Sequence, residues 1–223
     1  EWLLNVRYRQ KDREGLIPVG HIVAKDQLVL HPYKTPEMKL KNVTENYIPV
    51  ITPQVNDTNI RHWIVKGENF LIRFKRSTGY MDKYIVNGLD MIKDGAALTP
   101  NFWRAPTDND YGAKLQLKYN AWKNPDIKLI SLKNNIVDNQ AVISAEYEMK
   151  QVSAKLYITY TINNQGAVQV NQKMITDKAA NVSNMFRFGM QLVMPRSFEN
   201  ISYYGRGPME NYSNRNHCTD LGI

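Results

Sequence analysis

Lys155-Leu-Tyr-Ile-Thr-Tyr-Thr-Ile162 alternates apolar or aromatic residues with polar ones, so Leu156, Ile158, Tyr160 and Ile162 share one face of an extended chain. The turn-forming run Asn163-Asn-Gln-Gly166 follows it. The same period of two recurs on both sides and predicts strands over 127–132, 141–149, 167–176 and 185–194. In the last of these, Phe186, Phe188, Met190, Leu192 and Met194 fall on one face, against Arg187, Gly189 and Gln191. Upstream, Phe70, Ile72 and Phe74 alternate with Leu71, Arg73 and Lys75, and Ser77-Thr78-Gly79 supplies a turn. Asn87-Gly88 suits the positive φ angles of a type I′ hairpin. Many strands with one apolar face each predict an all-β fold of antiparallel sheets packed face to face. There is no Gly-rich phosphate loop and no βαβ alternation, which argues against a nucleotide-binding fold.

Before this region, residues 1–9 and 20–30 read as two further strands, the first alternating Trp2, Leu4, Val6 and Tyr8. They resemble the tail of a small β-sandwich. The polar stretch 34–58, punctuated by Pro36, Pro49 and Pro53, reads as the linker, with its core at 46–58. Between the strands, Leu115, Tyr119 and Trp122 recur at helical spacing, predicting a short helix over 113–123 that Asn124-Pro125 stops. The chain opens in mid-strand and without Met, and is read as a piece of something longer; no compartment is readable from it.

Composition removes several classes of function. Hydrophobic residues make up 43% of 223, enough for a sizeable core. The formal net charge of +8 raises nucleic acid or a membrane surface as partners, but Lys and Arg are scattered without a basic run, so neither partner is expected. No apolar run approaches the roughly 20 residues of a membrane span. Cys218 stands alone, which rules out an intrachain disulfide and a Cys-rich metal site. His21, His31, His62 and His217 lie far apart, with no zinc-type spacing.

Two loops concentrate the remaining chemistry. Asn101-Phe-Trp-Arg-Ala-Pro-Thr-Asp-Asn-Asp-Tyr-Gly112 sets Trp103 and Arg104 beside Asp108, Asn109 and Asp110. Pro106 bars helix at Ala105, and Asp and Asn favour turns, so a structured loop is expected. Two uses are open: bracing, with Arg104 paired to Asp108 or Asp110, or presentation of polar groups to a polyhydroxylated ligand with Trp103 as a stacking face. Asp108-x-Asp110-x-Gly112 shares the start of a calcium loop but lacks its later ligands, so no metal site is assigned. In Tyr203-Tyr-Gly-Arg-Gly-Pro-Met-Glu-Asn-Tyr-Ser-Asn-Arg215, Gly205 and Gly207 allow unusual backbone angles and Pro208 stiffens the turn. Arg206, Glu210, Asn211 and Arg215 give that loop either an ion-pair corner or a ligand-facing edge. Neither loop holds a nucleophile with an adjacent base.

Taken together, these two loops resemble the C-terminal region of family 2 glycoside hydrolases of the large β-galactosidase type. Glu1-Trp-Leu-Leu-Asn-Val-Arg-Tyr and Gly20-His-Ile-Val-Ala are similar to the last strands of the immunoglobulin-like domain that precedes it, so the resemblance covers essentially the whole chain. It implies that residues 1–45 end an immunoglobulin-like β-sandwich. Residues 59–223 would then begin an antiparallel β-supersandwich of galactose mutarotase-like fold, incomplete at its C-terminus. It also implies retaining hydrolysis of terminal β-D-galactosides by two carboxyl groups about 5 Å apart. In the family both are Glu residues of a barrel domain whose motifs have no counterpart here. The chain then holds no catalytic residue and acts as an accessory portion that is inactive alone. Trp103, Arg104, Asp108, Asn109, Asp110 and Gly112 shape the substrate-proximal edge, and Gly205, Arg206, Gly207, Pro208, Glu210, Asn211 and Arg215 form a structural loop. Mg²⁺ and Na⁺ in such enzymes resemble barrel-side sites, so no cofactor is carried onto this chain. The implied partners are the barrel domain, carbohydrate and further copies of the parent.

Three other readings compete. A non-catalytic carbohydrate-binding module would bind galactosides alone through a Trp. A mutarotase-like enzyme needs a His and carboxylate pair as acid and base, and the four His residues match no such motif. Nucleic-acid binding rests on net charge alone.

Overall fold

In the computed structural model, which describes residues 1–34, 40–41, 48–56, 59–177, 179–212 and 215–223, the side chains of 53–56 and 59–60 are left aside. The chain divides into two compact units, one of Glu1–Met38 with Glu199–Ile223 and one of Lys39–Phe198. In the first, β1 (Trp2–Arg9) and β2 (Ile22–His31) pair antiparallel, with Val6 opposite Asp26 and Tyr8 opposite Ala24. Trp2, Leu4 and Tyr8 are exposed there.

The second unit carries the alternating segments. β3 (Val50–Asn56), β4 (Asn59–Lys66), β5 (Phe70–Lys75), β6 (Met81–Val86) and β7 (Leu89–Asp90) form one antiparallel sheet in chain order. Further on come β8 (Thr99–Asn101), the helical turns α1 (Asp108–Gly112) and α2 (Leu115–Lys118), and then β9 (Lys128–Val137), β10 (Gln140–Met149), β11 (Ala154–Ile162) and β12 (Val168–Thr176). The last four strands make a second antiparallel sheet, also in chain order. β13 (Gly189–Gln191) pairs with β8. Back in the first unit, β14 (Gly205–Gly207) pairs with β15 (Asp220–Gly222).

The period of two decides which side chains are buried. Phe70, Ile72 and Phe74 of β5 are buried, as is every second residue of β10 from Ala141 to Met149. Leu156, Ile158, Tyr160 and Ile162 of β11 are fully enclosed. The two sheets meet through these faces: the Phe74 and Tyr160 rings lie 4.9 Å apart, and Tyr80 stacks on Tyr147 at 5.4 Å. The fold is all-β, and in the larger unit a five-stranded and a four-stranded antiparallel sheet enclose one apolar core.

Three expectations are corrected. The predicted strand 185–194 is reduced to three residues, because its partner β8 is equally short and contains Pro100, which has no N–H to donate. Phe186 and Phe188 then serve different neighbours, Trp103 and Phe102, and Phe188, Leu192 and Met194 are exposed instead of sharing a buried face. The helix expected over 113–123 begins earlier, at Asp108 inside the predicted loop, and breaks at Lys114, whose φ of 58° is left-handed. A 3₁₀ turn, Asn120–Trp122, completes the segment. Residues 50–56, read as linker, form β3 on the edge of β4; the other linker positions, 35–39, 42–47 and 57–58, lie outside the described residues.

Turns behaved as their chemistry dictates. Asn87 and Gly88 both take positive φ, 50° and 79°, between β6 and β7. Between β11 and β12, the Asn163 side-chain carbonyl accepts from the backbone N–H groups of Gln165 (3.0 Å) and Ala167 (2.9 Å). Gly166 closes that turn at φ +82°, and a Cβ there would lie 2.5 Å from Cγ of Phe70. Gly88, at φ +79°, has nothing within 4 Å of such a Cβ. Gly88→Ala should therefore lose about 1–2 kcal/mol for the left-handed backbone alone. Gly166→Ala should lose a further ~1–3 kcal/mol because the Phe70 ring must move. Urea denaturation midpoints of the two variants check this; equal losses would show that Phe70 yields freely.

Candidate functional site

The segment between β8 and α2 is held at both ends by aromatic packing. Phe102 is 2% exposed and meets the edge of Trp122 at 5.7 Å and the face of Phe188 at 5.8 Å. One residue on, Trp103 is half-buried with its edge against Phe186 at 4.8 Å, and Tyr119 approaches the same Phe186 ring at 5.2 Å. The Arg104 guanidinium lies over Phe186 at 4.6 Å, and the Lys123 ammonium lies 5.8 Å from the Trp103 ring centre. Phe186 therefore joins Trp103, Arg104 and Tyr119 into one cluster. Beside it opens a polar hollow of about 630 Å³ lined by Tyr119, Trp122, Asp177, Ser183, Asn184 and Met185 among others.

Asp110 is the charged centre of the segment. Arg104 donates to both its oxygens, Nη1 to Oδ2 at 2.5 Å and Nη2 to Oδ1 at 3.2 Å. Thr107 adds its backbone N–H at 2.7 Å and its hydroxyl at 3.0 Å, both to Oδ2. Thr107 is the N-cap of α1 and completes a capping box with Asp110. The Arg104 hydrogen bonds, then the Thr107 backbone N–H, hold the Asp110 carboxyl down to about 2. Of the two pairings open in the sequence, the structure makes Arg104–Asp110. Asp108, Asn109 and Gly112 are exposed along the same turn.

This geometry limits the chemistry. A carboxylate already accepting four hydrogen bonds is neither a proton donor near neutral pH nor a free ligand. A cation at Asp108-x-Asp110 would have to displace the guanidinium. No group of three His, Cys, Asp or Glu suited to a metal ion occurs among the described residues. What the segment offers outward is the exposed edge of Asp108, Asn109 and Tyr111 with the half-buried Trp103.

The second loop belongs to the other unit. Arg206, on β14, donates from Nη1 to the carbonyls of Thr219 (3.0 Å) and Asn216 (3.1 Å). Arg215 donates to Glu210 at 2.6 Å, and the Thr219 hydroxyl to Asn211 at 3.4 Å. The Tyr203 ring passes so close to Gly205 and Gly207 that a Cβ on Gly207 would lie 2.7 Å from its hydroxyl. The Gly207–Pro208 peptide is cis. Arg206, Glu210, Asn211 and Arg215 thus bind the loop to itself. Thr107, Phe186 and Tyr203 are given no role at either loop by the sequence reading, which names Phe186 only as part of a strand face. Thr107-x-x-Asp110 does carry capping-box spacing, whereas nothing local marks Phe186 or Tyr203.

Comparison with known families identifies the family of the chain. The family model described as the beta galactosidase small chain matches residues 66–223, well over half of the sequence. The chain belongs to the beta-galactosidase small-chain family. Relatives called beta-galactosidase include that of Priestia megaterium, 29% identical over the whole of this chain, and that of Staphylococcus xylosus, 26% identical over 97% of it. The Streptococcus thermophilus protein is 28% identical over 89%. This small-chain sequence spans only about a fifth of the length of those relatives, 21%, 21% and 18% respectively.

Because the partners of Asp110 lower its pKa, its contribution to stability is complete above its ordinary value of 3.8 and is lost as pH falls through about 2. Asp110→Asn should lower the unfolding midpoint by a constant amount from neutral pH to about pH 4, and the gap from wild type should close toward about pH 2. Thermal melts across that range test this; a gap independent of pH would show that the charge on Asp110 is not what braces the loop.

Proposed function

We propose that this chain is the C-terminal accessory portion of a retaining β-galactosidase of glycoside hydrolase family 2, acting on terminal β-D-galactosides. Residues 1–45 then end an immunoglobulin-like domain, and 59–223 begin a supersandwich of the galactose mutarotase type. The observation that carries this reading is a small-chain family match on a chain spanning only about a fifth of relatives called beta-galactosidase. The Asp110 geometry supports it from another side. Retaining hydrolysis needs one carboxyl group that donates a proton and another free to attack, about 5 Å apart. Asp110 is committed to Arg104 and Thr107. In this reading the catalytic pair lies on the barrel domain of the parent, any Mg²⁺ or Na⁺ is held there as well, and the parent assembles as a homo-oligomer. The 101–112 segment contributes shape: Arg104 and Asp110 hold the turn, and Trp103, Asp108 and Asn109 present its edge toward sugar.

Turnover of a chromogenic β-galactoside tests this, with the 223-residue chain alone and mixed with the N-terminal remainder of its parent. The expected result is no turnover alone and recovery on mixing. Turnover by the chain alone, abolished by Asp108→Asn or Asp110→Asn, would place the chemistry in the loop and overturn the proposal. Galactoside binding by the chain alone, lost in Trp103→Ala and without recovered turnover on mixing, would make it a binding module instead.

A further inference from the structure

The hairpin of β1 and β2 ends in a tip whose apolar side chains face outward. Along its strands the hairpin is anchored. The Gln27 carboxamide donates to the Leu221 carbonyl at 2.9 Å and accepts from the Leu221 N–H at 2.8 Å, and Lys25 pairs with Asp220 at 2.7 Å. Beyond the last paired residues, Arg9 and Ile22, the chain turns through Gln10-Lys-Asp-Arg-Glu-Gly-Leu-Ile-Pro-Val-Gly-His21. Leu16 at its apex is 98% exposed, Val19 66% and Ile17 40%.

Hydrogen bonds hold these side chains outward. The Gln10 N–H donates to the His21 carbonyl at 2.8 Å, and the Gly20 N–H to the Gln10 carbonyl at 2.9 Å. Glu14 and Ile17 exchange both backbone hydrogen bonds, at 3.2 and 2.9 Å, around Gly15, whose φ is +56°. The Arg9 guanidinium donates to the Gly20 carbonyl at 2.9 Å. A loop pinned in this way cannot fold its apolar residues against itself. It also loses little conformational freedom when another surface covers them. Exposed apolar residues scattered singly are ordinary, but three gathered at one pinned apex form a knob.

Size and charge select what covers the knob. Three side chains offer well under the ~800 Å² per partner of a stable interface between separate proteins, so they hold neither a second copy nor an independent partner. The charges beside the apex alternate in sign, Lys11-Asp12-Arg13-Glu14, and cancel, which gives an anionic membrane surface nothing to attract. A surface on the same polypeptide meets the knob at an effective concentration on the order of millimolar, and there so small a contact suffices. The chain spans only about a fifth of the length of its beta-galactosidase relatives. We propose that the knob of Leu16, Ile17 and Val19 docks into an apolar recess on the part of the parent polypeptide outside these 223 residues. This rests on the reading of the chain as a portion of a larger β-galactosidase.

The test compares the intact parent with the 223-residue chain, both carrying Leu16→Cys together with Cys218→Ser, which removes the exposed native thiol. Alkylation at position 16 is followed by mass spectrometry, and turnover of a chromogenic β-galactoside is recorded on the same parent sample. The expected result is alkylation at least about 100-fold slower in the parent than in the chain alone. Leu16→Asp should lower the thermal midpoint of the parent and leave that of the chain alone unchanged. Equal alkylation rates in the two, or a Leu16→Asp parent as stable as wild type, would overturn the proposal. So would alkylation of the chain alone that slows as its concentration rises, which identifies a second copy as the cover, or binding of the chain alone to anionic vesicles that Leu16→Asp abolishes. A parent that protects position 16 yet turns over no β-galactoside upholds the docking and refutes the glycosidase reading. Turnover by a parent whose position 16 stays fully reactive keeps that reading and sinks the docking.

Discussion

Phe74 on one sheet and Tyr160 on the other lie 4.9 Å apart between two layers whose strands each bury one side chain in two. The rest of the larger unit depends on that closure. A strand with period two cannot shift register by one residue without turning its apolar set outward, so the contact fixes the register of β5 and β11 together. It also fixes what the outer faces can carry. Once Ile72 and Phe74 are inside, Arg73 and Lys75 have only the other side. The same closure explains the small residue at Gly79, where a Cβ would lie 2.6 Å from the Tyr147 hydroxyl and 3.0 Å from Leu129. Burial pushes the Tyr80 phenol up to about 12 and raises Tyr147 as well, so both rings are neutral in the core around neutral pH.

The 101–112 segment inherits its rigidity from this core. Phe102 inserts beside Trp122 and Phe188, and Arg104 and Asp110 then close a turn of helix on the far side. The charge pair is effective because Thr107 adds two donors on the same carboxylate oxygen, so no acceptor site of that oxygen is left seeking water. Phe186 matters for the opposite reason. It has no charge, yet it is the surface on which an Arg, a Trp and a Tyr are arranged.

Legibility in the sequence followed the strength of the local signal. Leu156 to Ile162 and Phe70 to Phe74 announced their buried faces because both partners of each strand are long and the alternation is strict. Phe186 to Met194 carried the same alternation and built only three residues of strand, since β8 offers a short edge with Pro100 at its centre. Alternation records what a strand would bury, not whether a partner exists to pair with it. Leu115, Tyr119 and Trp122 dominate the helical pattern and point to a later start, while the actual start rests on Thr107 and the capping box. The sequence offers Arg104 to either Asp108 or Asp110, and only the structure selects Asp110. Phe186 is not legible at that loop, because it meets Trp103 from more than eighty residues away and only the β8–β13 pairing brings it there.

Charge shows the same limit from another direction. A formal excess of +8 spread along 223 residues has no address in the sequence, and Arg61-His62 and Arg73 to Arg76 are unremarkable when read in order. The register of β4 on β5 sets His62 against Lys75, and a diffuse excess becomes a local one. The local repulsion is partly offset where Asp82 ties Arg73 and His62, and where Trp63 takes one face of Arg76.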